Sequence, residues 1–169
     1  MSLAVRLATT ADAVLLPPIE RSAGQAFLAT SQAAVAGDKV SPASWHRPRI
    51  AEGLVWVATL HEAPIGFAAI EPLEDALHLW ELAVRLDAQK RGAGRALVAA
   101  VAGDARARGL PAVTLTTFRD VSFNAPFYAR LGFTELNDAD LNARLTAVRA
   151  HEAKLGLDVA NRCAMRLAL

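Results

Sequence analysis

One segment restricts the fold of this chain more than any other, namely an apolar run followed by a glycine-rich turn. The run ALHLWELAV (76–84) is apolar on both faces apart from His78 and Glu81. Such a run predicts a strand that is covered on both sides and lies in the interior of a sheet. The turn QKRGAG (89–94) follows, and the apolar spacing of GRALVAAVAGDARARG (94–109) predicts a helix after it.

The rest of the chain alternates between short apolar runs and helical patterns. In order, these patterns predict β-α-α-β-β-β-α-β-α-β-α-β, and the last helix, ADLNARLTAVRAHEAKLG (139–156), falls between the last two strands. Pro17 and Pro18 are expected to kink or split the first helix. No repeat or linker divides the chain, so we expect a single mixed α/β domain of the α+β type over residues 1–169.

Composition excludes several classes of protein. Hydrophobic residues make up 53% of the chain, charged residues 21%, and the net charge is +1, which indicates a globular protein without a general affinity for nucleic acid. No apolar run approaches the ~18 residues of a membrane span. The single cysteine, Cys163, cannot form an internal disulfide and fits a reducing cytoplasm. The four histidines show no metal-ligand spacing, so we expect no metal.

The glycine turn has the properties of an anion site. The first backbone N–H groups of a helix lack partners, and the helix dipole adds partial positive charge there. Glycines allow close approach of a phosphate, and Lys90, Arg91 and Arg95 add charge at the rim. The P-loop pattern is absent, and the dinucleotide pattern G-x-G-x-x-G/A fails because Leu97 holds its third position. The alternative is an ordinary glycine turn with solvated basic neighbours.

Two motifs resemble those of a known family. QKRGAG resembles the Q/R-x-x-G-x-G/A signature of the GNAT superfamily of N-acetyltransferases. NAPFYARLGF (124–133) resembles the second signature, an asparagine and a tyrosine on a short helix followed by Leu-Gly-Phe. The resemblance implies a mixed central sheet of about six to seven strands flanked by helices. The helix between the last two strands departs from a simple member of the family, which would have a hairpin connection there.

The resemblance also implies acetyl-CoA as cosubstrate. The turn would hold its pyrophosphate, and the main chain of the preceding strand would hydrogen-bond its pantetheine arm. Asn124 is expected to contact acetyl-CoA or to cap the helix that follows it. The residues expected to contact acetyl-CoA are Leu82, Ala83, Val84, Gln89, Lys90, Arg91, Gly92, Ala93, Gly94, Arg95, Asn124 and Phe127.

Three residues are candidates for the chemistry. Tyr128 matches the family's tyrosine near the sulfur, and a phenol, with an ordinary pKa of about 10, can protonate a leaving thiolate; its alternative is a core aromatic. Glu81 is the first candidate for the base and His78 the second. They are three residues apart, so they share a face only if the strand contains a bulge. The alternative for Glu81 is a salt bridge to an arginine, and the alternative for His78 is a hydrogen-bonded core or surface histidine. An amine that binds in its neutral form would need neither residue as a base.

The acceptor pocket of this family is built largely from the first two helices. The residues expected to line it are Glu20, Phe27, Trp45 and His46. The alternatives are that the glutamate is a solvated acid, that the two aromatic residues belong to the core, and that the histidine lies at the surface. Glu20 would attract an ammonium group, and the aromatic rings would pack against its carbon skeleton. We expect Trp56, Trp80 and Cys163 to belong to the core.

The sequence therefore predicts an acetyl-CoA-dependent N-acetyltransferase that acts on a primary amine. No acidic patch that would recruit a basic protein tail is evident, so a small-molecule amine is favoured over a protein lysine or N-terminus. A non-catalytic acyl-CoA-binding module and an NAD-dependent oxidoreductase are the competing hypotheses. A homodimer is left open.

Overall fold

The computed structural model describes residues 2–169. Its strands lie in one sheet in the order β1-β2-β3-β4-β5-β7-β6. This fold confirms the expected mixed sheet with flanking helices, including the helix between the last two strands. The strands are β1 (Leu3–Leu7), β2 (Val55–Leu60), β3 (Ala63–Leu73), β4 (Ala76–Val84), β5 (Ala112–Phe118), β6 (Thr134–Glu135) and β7 (Arg162–Ala168). The helices are α1 (Leu16–Gly24), α2 (Ala43–Ala51), α3 (Ala93–Ala107), α4 (Ala125–Arg130) and α5 (Ala143–Lys154).

The chain forms two compact units. The first contains the residues up to Glu71 together with Leu79–Asp104, and the second contains Pro72–His78 and Ala105–Leu169. In the first unit, β1 and β2 pair antiparallel, and β2 and β3 form an antiparallel hairpin. His61 and Glu62 at its turn both have positive φ, 49° and 66°. Among residues 2–169, no helix has the length and apolar character that crossing a bilayer requires.

The core of the first unit lies between its strands and the helices α1 and α2. Its buried members include Leu16, Ile50, Val57 and Phe67. The expected first helix is split: a 3-10 helix (Thr10–Val14) ends before α1 begins, and Pro17 and Pro18 fall in the first turn of α1 rather than its interior. First-turn residues have no intrahelical acceptor for their N–H groups, so proline loses nothing there and helps the helix to begin.

Strands β3 and β4 approach each other closely at Gly66. A Cβ at this position would lie 2.8 Å from the carbonyl oxygen of Ala83 and 3.0 Å from Cγ2 of Val84. The N–H of Arg85 donates to the Ile65 carbonyl at 2.8 Å. Glycine is therefore needed at residue 66 for space, and it sets the distance between β3 and the end of β4.

In the second unit, β5 and β7 pair antiparallel from Ala112↔Ala168 to Phe118↔Arg162. A buried ion network attaches α5 to these strands. Glu152 accepts hydrogen bonds from Arg162 at 2.8 Å, from Arg149 at 3.0 Å, and from the Thr116 hydroxyl. Burial acts to raise the pKa of Glu152, but the hydrogen bonds from Arg162 and Thr116 and the charges of Arg162 and Arg149 together hold the pKa below its ordinary value. The network explains how the extra helix is held on this unit.

Candidate active site

The glycine turn begins where β4 ends. After Val84, one short 3-10 turn (Leu86–Ala88) leads into the segment 89–92, and α3 begins at Ala93, one residue before the predicted range 94–109. Gly92 has φ +89° and is the last residue before the helix. Side chains strongly disfavour this conformation, so Gly92 is the glycine on which the turn depends.

Two contacts fix the turn to its unit. The side-chain amide of Gln89 donates to the Val84 carbonyl at 3.0 Å, which ties the turn back to the end of the strand. Ala88 and Ala93, on either side of the turn, are buried. Lys90, Arg91 and Gly92 are exposed, and a Cβ on Gly92 would have no protein atom within 4 Å other than those of its chain neighbours. The turn is thus attached to the unit at both ends and open in the middle.

The start of α3 offers donors and positive charge to this open space. The Ala96 N–H donates to the Gly92 carbonyl at 2.9 Å, as the first bond of the helix. The three preceding N–H groups, at residues 93–95, therefore have no acceptor inside the helix. Lys90, Arg91 and Arg95 are exposed. Free amides, a helix dipole and three cations fit the diphosphate of the implied cosubstrate.

Part of β4 is uncovered although β4 is the fourth of seven strands. Ala76 through Leu79 are buried, whereas Trp80 is 37% exposed and both Glu81 and Leu82 are half-buried. The expectation that Trp80 belongs to the core is wrong. Instead its indole N–H donates to Oε2 of Glu71 on β3 at 2.5 Å. An uncovered stretch on an interior strand is where an extended ligand can reach the main chain.

The contacts of β4 along this stretch indicate a local irregularity. Ala83 belongs to the same core cluster as Phe67 and Ala69 of β3. Glu71 is two residues beyond Ala69, so alternation puts it on that same face, and Trp80 is bonded to it. Trp80 and Ala83 are three residues apart, and a regular strand would put them on opposite faces. A local irregularity between Trp80 and Ala83, of the kind a bulge produces, accounts for both contacts.

The tyrosine motif forms α4 in the second unit. Tyr128 is 8% exposed and packs edge-to-face against Phe127 and Phe133, with ring centroids 5.1 and 5.6 Å away. Asn124 precedes α4, but its side chain does not cap the helix. Its Oδ1 accepts from the Thr117 hydroxyl at 2.5 Å, and its Nδ2 has no hydrogen-bond partner within residues 2–169. The capping alternative for the Asn124 side chain is therefore wrong.

The two candidate bases have different surroundings. Glu81 lies on the uncovered stretch of β4 and is half-buried. His78 is 1% exposed, and its Nδ1 lies 3.0 Å from the Thr114 hydroxyl. A buried, hydrogen-bonded imidazole matches the structural alternative for His78, and an acceptor has little surface of it to contact.

The candidate acceptor residues come from α1, α2 and the segment between them. Glu20 is half-buried, and its Oε2 accepts from the Ser41 N–H at 3.1 Å. Burial raises the pKa of Glu20 above its ordinary value, and the hydrogen bond from Ser41 opposes this shift. Phe27 lies half-buried in the short 3-10 helix after α1. Trp45 is covered by the Arg49 guanidinium, 3.5 Å from the ring centroid.

His46 lies in the core instead of lining a pocket. It is fully buried and packs edge-to-face against Trp45 and Phe67, with ring centroids 5.0 and 5.2 Å away. Burial, with a smaller effect from the charge of Arg49, lowers its pKa to about 4. His46 is therefore neutral at physiological pH and offers no surface to an acceptor, which corrects its expected role.

Two other kinds of chemistry have no support at this site. Cys163 is 1% exposed, and burial is the main cause that raises its pKa to about 11, so the thiol is protonated and inert at neutral pH. Within residues 2–169, no group of three or more His, Cys, Asp and Glu side chains is arranged to hold a metal ion.

Comparison with known proteins identifies the family. Residues 51–135 match the acetyltransferase (GNAT) domain, which spans β2 through β6 and includes the glycine turn and the tyrosine motif. The chain belongs to this family. A segment of 77 residues is 39% identical to part of an orotate phosphoribosyltransferase from Chromobacterium violaceum. That match spans 46% of this chain and 30% of the other protein, so the chain covers less than a third of that relative.

Solved structures share the fold. The match to PaiA N-acetyltransferase from Thermoplasma acidophilum, solved with coenzyme A, covers 100% of this chain and 100% of that chain, with TM-score 0.76 and 16% identity. N-acetylglutamate synthase from Neisseria gonorrhoeae, solved with coenzyme A and N-acetyl-glutamate, matches 100% of this chain and 35% of its own at TM-score 0.72 and 17% identity. Ribosomal-protein-alanine N-acetyltransferase from Brucella melitensis matches 98% and 99% at TM-score 0.68 and 19% identity.

Proposed function

We propose that this chain transfers the acetyl group of acetyl-CoA to a primary amine, and that the acceptor is a small molecule. The observation that carries this proposal is the glycine turn: Gly92, at φ +89°, leaves open space in front of the first N–H groups of α3. Membership of the acetyltransferase (GNAT) family supports acetyl-CoA as the donor.

The donor is held at two places on the first unit. The diphosphate accepts hydrogen bonds from the N–H groups between Arg91 and Arg95, and the pantetheine arm pairs with the main chain of Leu82 to Val84. The half-buried state of Leu82 and Val84 supports this assignment, since fully covered residues would leave no room for the arm. Holding the thioester in one place in this way raises the rate of attack, because the entropy cost of aligning the two reactants is met when they bind.

The reaction is a direct attack of a neutral amine on the thioester carbonyl. The nitrogen forms a bond to the carbonyl carbon, the C–S bond breaks, and the sulfur leaves as a thiolate. Glu81, through water, accepts the proton that the nitrogen loses, and Tyr128 protonates the thiolate. Glu81 is preferred over His78 because it lies on the uncovered stretch of β4.

The acceptor binds on the side of α1 and α2. Glu20 is the group there that attracts an ammonium, and its hydrogen bond from Ser41 holds the carboxylate in place. A small amine is preferred over a protein tail, although relatives of this fold include both a ribosomal-protein-alanine N-acetyltransferase and an N-acetylglutamate synthase. A cytoplasmic location is part of the proposal and agrees with the unpaired thiol of Cys163.

A thiol-release assay over a panel of primary amines tests the proposal. Acetyl-CoA-dependent release of free CoA, with acetylated amine found by mass spectrometry, is the expected result. Tight CoA binding with no turnover on any small amine or on peptide N-termini and lysines would instead make the chain an acyl-CoA-binding module. Binding of a nicotinamide cofactor without binding of CoA would refute the proposal altogether.

A further inference from the structure

We propose that a pocket at the end of β4 binds a short aliphatic carboxylate, and that this ligand weakens the binding of acetyl-CoA. The pocket lies in the first unit and has a volume of about 430 Å³, a size typical of small-molecule sites. None of its lining residues belongs to the donor or acceptor sites proposed above. Binding of the carboxylate is independent of the proposed acetyl transfer, whereas its effect on acetyl-CoA rests on that proposed function.

The walls of the pocket are mainly apolar. Leu15, Pro18 and Ile19 line it from α1 and the residue before α1, and Ala63 and Pro64 line it from the start of β3. Leu15 is 44% exposed although it is a large hydrophobic residue, so this wall is accessible to a ligand. A hydrocarbon chain that covers the wall is stabilised, because apolar surface is removed from water. The lining therefore predicts a ligand with an apolar body.

The charged group of the lining is the guanidinium of Arg85, and none of the lining residues is acidic. Nε and Nη2 of Arg85 donate to the carboxylate of Asp87 at 3.0 and 2.5 Å, which holds the guanidinium in place and leaves Nη1 outside that pair. The hydrogen bonds from Arg85 and, to a smaller extent, the charge of Arg91 lower the pKa of Asp87, so these three ionised groups carry a net positive charge. An arginine that is already oriented binds a carboxylate at a small cost in entropy, so the predicted head group of the ligand is a carboxylate.

A hydrogen bond connects the pocket to the segment before the glycine turn. The Leu86 N–H donates to Oγ of Ser22 at 3.1 Å, and Leu86 begins the 3-10 helix that leads to Gln89. Ser22 also lines the pocket, so an occupant contacts one end of this hydrogen bond. A ligand carboxylate at Arg85 would add negative charge shortly before the turn, and this charge repels the diphosphate. Occupancy should therefore weaken acetyl-CoA binding, and by linkage acetyl-CoA should weaken carboxylate binding by the same factor.

Calorimetric titrations of the full chain in the absence of CoA test the pocket. The probes are hexanoate, butanoate and 1-hexanol. Hexanoate should bind about tenfold more tightly than butanoate, because each buried methylene contributes a factor of about three to four. It should bind about threefold or more tightly than 1-hexanol, which has the chain without the charge. Equal affinities for hexanoate and 1-hexanol, or no saturable binding of hexanoate, would overturn the carboxylate site.

Two variants of the lining and one control locate the site, and urea unfolding checks that each is folded. Arg85→Gln removes the charge and should weaken hexanoate about threefold or more with little effect on 1-hexanol. Ala63→Phe places a ring in the pocket from an exposed position and should abolish binding of both probes. Arg21→Gln is the matched control, since Arg21 is an exposed cation of α1 that does not line the pocket. Hexanoate affinity that is unchanged in Ala63→Phe, or that falls equally in Arg21→Gln and Arg85→Gln, would overturn the site.

A titration of CoA with and without saturating hexanoate tests the effect on the cosubstrate. The Kd for CoA should rise about two- to threefold, as expected for like charges that solvent and salt largely screen, and this rise should be absent in Ala63→Phe. An unchanged Kd for CoA in the presence of bound hexanoate would overturn the effect on acetyl-CoA. If the wild-type protein binds hexanoate but not CoA, the proposed function fails and the effect fails with it, while the carboxylate site is supported.

Discussion

Replacing Gly66 with alanine tests how the spacing of β3 and β4 supports donor binding. The new Cβ would lie 2.8 Å from the Ala83 carbonyl oxygen and 3.0 Å from Val84 Cγ2. The nearest atom belongs to the backbone, so a rotamer change cannot relieve the contact and the strands must move apart. Overpacking of this kind costs about 1–3 kcal/mol, and alanine recovers about 0.5–1 kcal/mol in a strand because it is less flexible than glycine.

Taking the middle of each range, the free energy of unfolding of Gly66→Ala should fall by about 1 kcal/mol. For a chain of this size, that corresponds to a decrease in Tm of about 2–4 °C. Because the strands separate at Ala83 and Val84, where the pantetheine arm is proposed to bind, KM for acetyl-CoA should also rise. Urea unfolding, thermal unfolding and steady-state kinetics measure the three effects.

Gly103→Ala is the matched control for this substitution. Gly103 lies on α3, and a Cβ there would have no heavy atom within 4 Å. Alanine in a helix is favoured over glycine by about 1 kcal/mol, so this variant should be more stable than the wild type and bind acetyl-CoA normally. Equal stability of the wild type and Gly66→Ala, or an unchanged KM for acetyl-CoA despite lower stability, would refute the argument.

Three further predictions concern single residues. Tyr128→Phe should lower kcat roughly ten- to thousandfold with an unchanged KM for acetyl-CoA, and an unchanged kcat would remove the phenol from the reaction. Gly92→Val should weaken CoA binding tenfold or more in calorimetry, because φ +89° strains a β-branched residue and its side chain fills the open turn; intact affinity would contradict this. The pKa of His46 is lowered from 6.5 to about 4, so the unfolded chain takes up the proton first. About 3 kcal/mol of stability, complete above pH 6.5, should be lost as the pH falls toward 4, and His46→Leu should lack this slope in urea unfolding.

The elements that the sequence predicts well are those with a strong local signal. The doubly apolar run of β4 and the apolar spacing of α3 each identify their own secondary structure, and Gly92 marks the turn because no other residue adopts φ +89° easily. The helix α5 between the last two strands was also predicted from its own pattern. These features depend on residues that are near each other in the chain.

The features that the sequence does not reveal depend on contacts between distant residues. The exposure of Trp80 follows from an uncovered stretch of β4, whereas its place in an apolar strand suggested a core residue. The role of Gly66 depends on the carbonyl of Ala83, and the attachment of α5 depends on Arg162 meeting Glu152. A signal for Trp80 was present in the neighbouring Glu81, since a polar residue beside an aromatic in an apolar strand favours a partly open environment.

The most direct test of the central claim is a crystal structure of this chain with coenzyme A. The account predicts that diphosphate oxygens lie at hydrogen-bond distance, about 3 Å, from the backbone nitrogens between Arg91 and Arg95, with the pantetheine arm beside Leu82 to Val84. A structure in which coenzyme A is bound elsewhere and the turn contacts no phosphate would contradict it.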